Sequence, residues 1–212
     1  QVDSTNTYLM EQIASGRRLP QLHTVVGRQQ TAGRGMRGNS WVSRQGDSVT
    51  CSLLLRSDML QGRDQFAVSE LIAVAVSRTF ASFMTEEQRE QLSIKWPNDI
   101  YWGDRKLAGI LIEHSLTGQR VDYSVVGIGM NVNDESFPPE LPFAISLRMI
   151  TGHSLLPMEI LIRLHDQIAP LLPDFLLGHY ADVHRTFMRQ LYRREGFHLF
   201  TDVQGQFRAQ IK

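Results

Sequence analysis

The chain has 212 residues, and its 22 lysine and arginine residues balance 22 aspartate and glutamate residues. Zero net charge argues against a basic nucleic-acid-binding arm or a polybasic membrane patch, so we expect neither nucleic acid nor membrane as a partner. The single cysteine, Cys51, excludes an internal disulfide and a zinc site built from several thiolates. No apolar run approaches the roughly 18 residues of a membrane span, and no signal peptide opens the sequence, so we expect a cytoplasmic protein.

The first half of the chain is rich in predicted strands. β-Branched and aliphatic runs predict strands at 24–29 and 48–56, and a broad apolar stripe then predicts a helix over 64–84. Four further strands are predicted at 93–96, 100–102, 106–116 and 121–130. This order is α+β or mixed α/β, because it lacks the strict βαβ alternation of a doubly wound fold.

The second half changes character after a polar, proline-rich loop at 131–142. Helical periodicity predicts helices at 156–169 and 175–191, which prolines separate. The segment 197–212 predicts a β-hairpin, and a lone hairpin is marginal in water. We therefore expect a catalytic domain over 1–192 and the beginning of a small β module over 193–212, with the remainder of that module absent.

The glycine-rich segment GRGMRG at 33–38 matches the pattern GxGxxG. A dinucleotide site would need a helix to begin at these glycines and an acidic residue about 20 positions later, and neither is present. The segment instead predicts a flexible loop in which Arg34 and Arg37 can grip a carboxylate or a phosphate. The alternative is a solvated surface loop whose charges serve solubility.

Three further motifs follow in the predicted strands. KWPND (95–99) places a cation, an amide and a carboxylate within five residues, which suits a nucleotide phosphate with Mg²⁺ or, alternatively, a plain turn. In DRKLAGILIE (104–113), Lys106 begins an aliphatic strand, so its charge needs an anionic partner unless it lies at a strand edge in water. GIGMNVN (127–133) ends a strand with small residues, which permits close approach of a ligand to the backbone.

Together with DSTN (3–6) and QTAGRG (30–35), these motifs in this order resemble the biotin protein ligases, also called biotin–[acetyl-CoA-carboxylase] ligases. The resemblance covers about residues 3–133. It implies a mixed, largely antiparallel central sheet flanked by helices, as in class II aminoacyl-tRNA synthetases, and an SH3-like C-terminal module. No helix–turn–helix precedes Asp3, so we expect the monofunctional form that lacks an N-terminal DNA-binding domain.

The resemblance also implies an activity. ATP and biotin would be the substrates and Mg²⁺ the cofactor, and biotin would be activated as biotinyl-5′-AMP. The biotinyl group would then pass to a lysine of a biotin carboxyl carrier protein domain in a biotin-dependent carboxylase. The adenylate is labile, so the loop at 33–38 is the expected lid that excludes water. Edge strands near this loop allow a homodimer.

Site residues follow from the resemblance, position by position. The implied biotin-binding residues are Ser4, Thr5, Asn6, Gln30, Gly33, Arg34, Gly35, Met36, Lys106 and Gly109. The implied ATP-binding residues are Arg37, Trp41, Lys95, Asn98, Lys106 and Asn131. The implied catalytic residues are Lys106, Arg34 and Asp99, where Asp99 either holds magnesium or deprotonates the incoming lysine.

Two departures and two rival functions qualify this interpretation. Many family members have arginine where this chain has Met36 and Asn39, which puts the retention of the adenylate in question. No resident metal site is predicted, because the seven histidines show no ligand spacing.

The rival functions are a lipoate or octanoate ligase of the same superfamily and a non-catalytic biotin sensor. The KWPND motif favours biotin, and the ATP-binding set argues against a pure sensor.

Overall fold

The computed structural model describes residues 1–41 and 47–211 and is organised around one six-stranded sheet. The strands are β1 (Thr24–Gly27), β2 (Ser48–Leu55), β3 (Leu92–Lys95), β4 (Asp99–Trp102), β5 (Arg105–Thr117) and β6 (Arg120–Asn131). Their order across the sheet is β1-β2-β6-β5-β4-β3, and every neighbouring pair is antiparallel. The predicted α+β class with an antiparallel central sheet is confirmed.

Seven helices accompany the sheet within the described residues. They are α1 (Thr5–Ala14), α2 (Phe66–Ala81), α3 (Glu86–Arg89), α4 (Leu147–Thr151), α5 (Pro157–Ile168), α6 (Leu172–Leu176) and α7 (Ala181–Arg189). Short 3₁₀ turns lie at Met36–Gly38 and Gly62–Asp64. A separate hairpin of β7 (His198–Asp202) and β8 (Gly205–Ala209) completes the described chain.

One face of the sheet carries the main core. Helix α2 is buried along most of its length, and it packs against α5 and α7 while covering the sheet. Side chains of a strand alternate between its two faces, so every second residue of β2 and β6 enters this core. The contributing residues are Val49, Cys51, Leu53 and Leu55 from β2 and Val126, Ile128 and Met130 from β6.

The opposite face of the sheet is only partly covered. Helix α1 packs there through Leu9, which joins Leu54 and Val125 in a second, smaller apolar cluster. Beyond that cluster the same face presents small or polar residues, namely Thr50 and Ser52 from β2 and glycines from β6. The alternation that fills the core therefore leaves an open, glycine-rich surface beside α1.

Some predicted elements differ from the structure. The helix predicted at 175–191 is two helices, because Gly178 adopts a left-handed φ of +83° between α6 and α7. Helices α1 and α4 were not predicted, since each has few buried apolar residues. A capping box formed by Thr85 and Gln88 begins the short helix α3.

The hairpin predicted at 197–212 is confirmed as β7 and β8. It forms its own two-stranded sheet, and Phe200 and Phe207 stack across it with ring centroids 5.9 Å apart. The division of the chain at residue 192 and the SH3-like character of this segment stay predictions. Among residues 1–41 and 47–211, no helix combines the length and apolar character that crossing a membrane requires.

Candidate functional site

A cavity lies on the open face of the sheet, between α1, the segment 30–41 and the strands β5 and β6. It brings together most of the residues that the sequence motifs single out. The lining residues are Ser4, Thr5, Asn6, Gln30, Arg34, Gly35, Met36, Trp41, Thr50, Cys51, Asn98, Lys106, Gly109, Ile110, Leu111, Gly127, Ile128 and Gly129. Segments that are more than 100 residues apart in sequence thus line the same cavity.

A polar cluster of Thr5, Asn6, Gln30 and Ser52 forms one end of the cavity. The backbone N–H of Thr5 donates to Gln30 Oε1 at 2.8 Å, and the Thr5 hydroxyl lies 3.1 Å from the same oxygen. Ser52 Oγ lies 2.7 Å from Thr5 Oγ1 and donates to Asn6 Oδ1 at 2.5 Å. Thr5, Asn6 and Ser52 are all buried, so the cluster is held in a fixed arrangement.

Glycines on the two central strands allow side chains to lie directly on the backbone. A Cβ at Gly129 would overlap the Trp41 indole ring, and one at Gly127 would overlap the Asn6 amide. At Gly109, a Cβ would come within 3.1 Å of both the Trp41 ring and the end of the Lys106 side chain. Only glycine therefore lets Trp41 and Asn6 occupy these positions.

Lys106 lies at the other end of the cavity, and its partner Asp99 lies beside it, outside the lining. Lys106 Nζ lies 2.7 Å from Asp99 Oδ1, as an ion pair whose geometry lacks the alignment of a hydrogen bond. Both side chains are partly buried, with exposed fractions of 35% and 19%, so water screens the pair less than it would a surface pair. The ammonium also lies 5.9 Å from the centre of the Trp41 ring.

A β-bulge orients Lys106 toward the cavity. On β4, Ile100 and Tyr101 are adjacent, whereas their partners on β5 are Ala108 and Lys106, so Leu107 is the extra residue. Leu107 and Ala108 both enter the core, and Lys106 consequently faces the same side as Gly109. With regular alternation Lys106 would point into the apolar core; the bulge instead places its charge beside Asp99.

Arg34 lies at the opposite end from Lys106. Its guanidinium donates from Nη2 to Glu113 Oε2 at 2.8 Å, and the Asn6 amide donates to the same oxygen at 2.8 Å. Glu113 was not singled out from the sequence, nor was Ser52. The signal for Glu113 was its place at the end of the DRKLAGILIE motif, but its partners are 79 and 107 residues away.

The residues implied for ATP occupy different places. The Asn98 side chain lines the cavity and donates to the Ile110 carbonyl at 2.6 Å. Asn131 is buried behind Lys106, where its amide donates to the carbonyls of Lys106 and Ile145 at 3.3 and 3.2 Å. Lys95 donates to the Tyr101 hydroxyl at 2.9 Å and does not line the cavity.

The side chain of Arg37 lies outside the described part of the structure, as do residues 42–46. Cys51 is buried, and burial raises the pKa of its thiol to about 12, so the thiol stays protonated and inert. Within residues 1–41 and 47–211, no three histidine, cysteine or acidic residues cluster as metal ligands would.

The antiparallel sheet, the cavity on its open face and the lysine at one end define the structural class of the protein, and comparison with known proteins agrees. The model of the Biotin/lipoate A/B protein ligase family matches residues 1–131. The chain resembles the bifunctional ligase/repressor BirA of Bacillus subtilis, with 40% identity over 140 residues that cover 64% of this chain and 41% of that one. It is also 34% identical over 172 residues to the biotin–[acetyl-CoA-carboxylase] ligase of Paracoccus denitrificans, covering 79% of this chain and 67% of that one.

Among solved structures, the biotin protein ligase from Aquifex aeolicus in complex with biotin and ATP is similar, with a TM-score of 0.78 and 27% identity. That comparison covers 99% of this chain and 83% of the other. The chain belongs to the biotin/lipoate A/B protein ligase family. It spans 41% of the length of the first curated relatives that it matches.

Proposed function

We propose that the protein is an ATP-dependent biotin ligase that forms biotinyl-5′-AMP and transfers the biotinyl group to a lysine of a biotin carboxyl carrier domain. One observation carries the proposal. The polar cluster and Lys106 lie at the two ends of a single cavity on the open face of the sheet, and Asp99 pairs with Lys106 from outside the lining. A ligand with a polar ring at one end and a carboxylate at the other fits this arrangement, and biotin is such a molecule.

The polar cluster supports recognition of the ureido ring. That ring offers two N–H donors and one carbonyl acceptor, and it is uncharged. Hydroxyl and amide groups of Ser4, Thr5 and Gln30 line the same end of the cavity, and they supply both donors and acceptors. Burial makes these hydrogen bonds selective, because a ligand without matching groups would leave them unpaired.

Lys106 supports the first half-reaction. An oxygen of the biotin carboxylate attacks the α-phosphorus of ATP, an O–P bond forms, and the bond to the bridging oxygen breaks to release pyrophosphate. Negative charge develops on the phosphoryl oxygens in the transition state, and a fixed ammonium group stabilises it. Arg34, implied as catalytic from the sequence, contributes in this proposal by closing the ring end of the cavity, where it pairs with Glu113.

Asp99 has two chemical roles that its position supports. Mg²⁺ is commonly held by one or two carboxylates together with substrate phosphates, and Asp99 beside Lys106 fits that donor set. When bound, the ion would neutralise charge on the nucleotide phosphates. In the second half-reaction, the acceptor lysine must lose a proton before its nitrogen attacks the biotinyl carbonyl and AMP leaves. A carboxylate at this position suits that step also.

The remaining members of the proposed site have supporting positions. Gly33, Gly35 and Met36 belong to the segment that borders the cavity, where a closing loop would keep water from the adenylate. Trp41 lies between Gly129 and Lys106, and in this proposal it packs near the nucleotide. Lys95, Asn98, Asn131 and Arg37 complete the implied ATP set, of which Asn131 contacts the Lys106 backbone rather than the cavity.

The proposal is tested by pyrophosphate release with Mg-ATP and biotin, lipoate or octanoate in parallel reactions. Each reaction then receives a biotin carboxyl carrier domain, whose mass is measured. Biotin-dependent pyrophosphate release with one biotinyl group gained on a lysine is the expected result. Turnover with lipoate or octanoate alone would assign the protein to the lipoate branch of its family. Biotin binding without turnover would indicate a sensor.

A further inference from the structure

Glu113 lies outside the cavity lining and yet joins two of its walls. It stands on β5, and its Oε2 atom accepts hydrogen bonds from Arg34 Nη2 and from Asn6 Nδ2, each at 2.8 Å. Its side chain is 29% exposed and that of Arg34 is 43% exposed. One carboxylate oxygen therefore connects the segment that borders the cavity with helix α1.

The two partners of Glu113 differ in chemistry. The bond from Arg34 is charge-assisted, so it depends on an ionised carboxylate. The Asn6 amide is neutral, and it also donates weakly to the Leu111 carbonyl at 3.4 Å. A change from carboxylate to amide at position 113 therefore weakens the Arg34 bond most, whereas an apolar side chain there removes both bonds.

The bond to Glu113 also fixes which way the Asn6 amide points. A carboxylate only accepts hydrogen bonds, so the NH₂ group of Asn6 faces Glu113 and its oxygen faces Ser52. Ser52 donates to that oxygen at 2.5 Å and lies 2.7 Å from Thr5 Oγ1. Thr5 in turn contacts Gln30. The orientation of the Asn6 amide, which Glu113 sets, thus determines which hydrogen bonds the polar cluster can form.

From this chain of contacts we propose that Glu113 is a positioning residue for biotin. It holds the Asn6 amide in the orientation that the polar cluster needs, and it ties Arg34 over the ring end of the cavity. The inference rests on the proposed function, because biotin is the ligand that the cluster is proposed to recognise. Glu113 acts through Asn6 and Arg34 and has no contact with the reacting atoms, so its effect falls on biotin binding.

Isothermal titration with biotin in the absence of ATP tests the role of Glu113. Loss of a hydrogen bond to a charged group predicts a roughly tenfold rise in the Kd of biotin for Glu113→Gln. Glu113→Leu should raise the Kd further, because Asn6 also loses its acceptor. A matched control is Asp166→Asn, which removes an exposed carboxylate that pairs with Arg163 on α5. The control should bind biotin like the unaltered chain.

A double-mutant cycle and a kinetic comparison separate positioning from general destabilisation. Arg34→Met should raise the Kd less in the Glu113→Gln background than in the unaltered chain, since the bond that the two residues share is already weakened there. The KM for biotin should rise while the KM for ATP stays unchanged, whereas a folding defect would lower the active fraction and therefore the apparent kcat. Unchanged biotin affinity in both Glu113 variants would overturn the role of Glu113 but leave the proposed function intact. Failure of the unaltered chain to bind biotin would instead overturn the proposed function.

Discussion

Lys106 Nζ lies 2.7 Å from Asp99 Oδ1, and the two residues are next to each other only because β4 and β5 pair with a bulge. The extra residue at the bulge rotates Lys106 out of the core and onto the open face of the sheet. The same face carries Gly109 and Gly129, which leave room for the Trp41 ring beside the ammonium. A local irregularity of one strand therefore sets the chemistry of one end of the cavity.

Replacement of this lysine tests its role directly. Lys106→Ala should reduce biotin-dependent pyrophosphate release by about 10²-fold or more, the scale on which a lost charge-stabilising group acts. The backbone bonds of Lys106 persist, but the carboxylate of Asp99 loses its partner, so we expect a folded protein with a somewhat lowered melting temperature. Arg163→Ala, on the outer face of α5, controls for loss of a positive charge. Full activity of Lys106→Ala would refute the assignment.

Substitution of Asp99 distinguishes its two proposed roles. Asp99→Asn keeps the shape of the side chain but removes the charge that faces Lys106. If Asp99 holds the ion, we expect slower pyrophosphate release that partly recovers at raised Mg²⁺ concentration, because an amide binds the ion more weakly than a carboxylate. Normal pyrophosphate release with a defect only in transfer to the carrier domain would instead support the role as a base.

Alanine substitutions at two glycines of the sheet should weaken biotin binding to different extents. Gly129→Ala should abolish measurable biotin binding or force Trp41 to move, since the added methyl group would overlap the indole ring. Gly109→Ala should have a smaller effect, because the Cβ contacts there are 3.1 Å and involve the flexible end of Lys106. Biotin titration monitored by tryptophan fluorescence measures the affinity of both variants. A larger loss of affinity in Gly109→Ala than in Gly129→Ala would contradict the packing described above.

The residue at position 36 should affect how firmly the protein retains biotinyl-adenylate. Met36 borders the cavity, at a position where the family resemblance of the sequence leads us to expect arginine. A guanidinium group there can bond phosphate oxygens, so Met36→Arg should slow the release of free biotinyl-adenylate. Quench-flow separation of bound and released adenylate measures this rate. An unchanged rate would mean that the rest of the loop already retains the intermediate.

Two partly buried histidines predict the dependence of stability on pH. Burial lowers the pKa of both His114 and His165, and their ring nitrogens contact Ser124 and Thr24. The unfolded chain therefore binds more protons below about pH 6.5, and the free energy of unfolding should fall as the pH drops through this range. Urea unfolding at pH 7.5 and 5.5 measures the difference. The double variant His114→Gln with His165→Gln should show a smaller difference, and an equal one would contradict the prediction.

The sequence by itself determined the strands, their approximate bounds and the motifs that end up in the cavity. Apolar alternation and turn residues are local signals, so they identified β2, β5 and β6 without any knowledge of pairing. The motif at 95–99 and the lysine at 106 were also recognisable, because charged and amide groups beside aliphatic strands are costly unless they have partners.

Only the tertiary structure decided which of these residues meet. The bulge at Leu107, the placement of Lys95 away from the cavity and the bonds from Glu113 to Arg34 and Asn6 depend on strand register and long-range packing. Register follows from contacts between segments that are distant in the chain, whereas periodicity reports only which side of a strand is apolar. The site therefore combines motifs that the sequence displays with partners that only the fold brings within hydrogen-bonding distance.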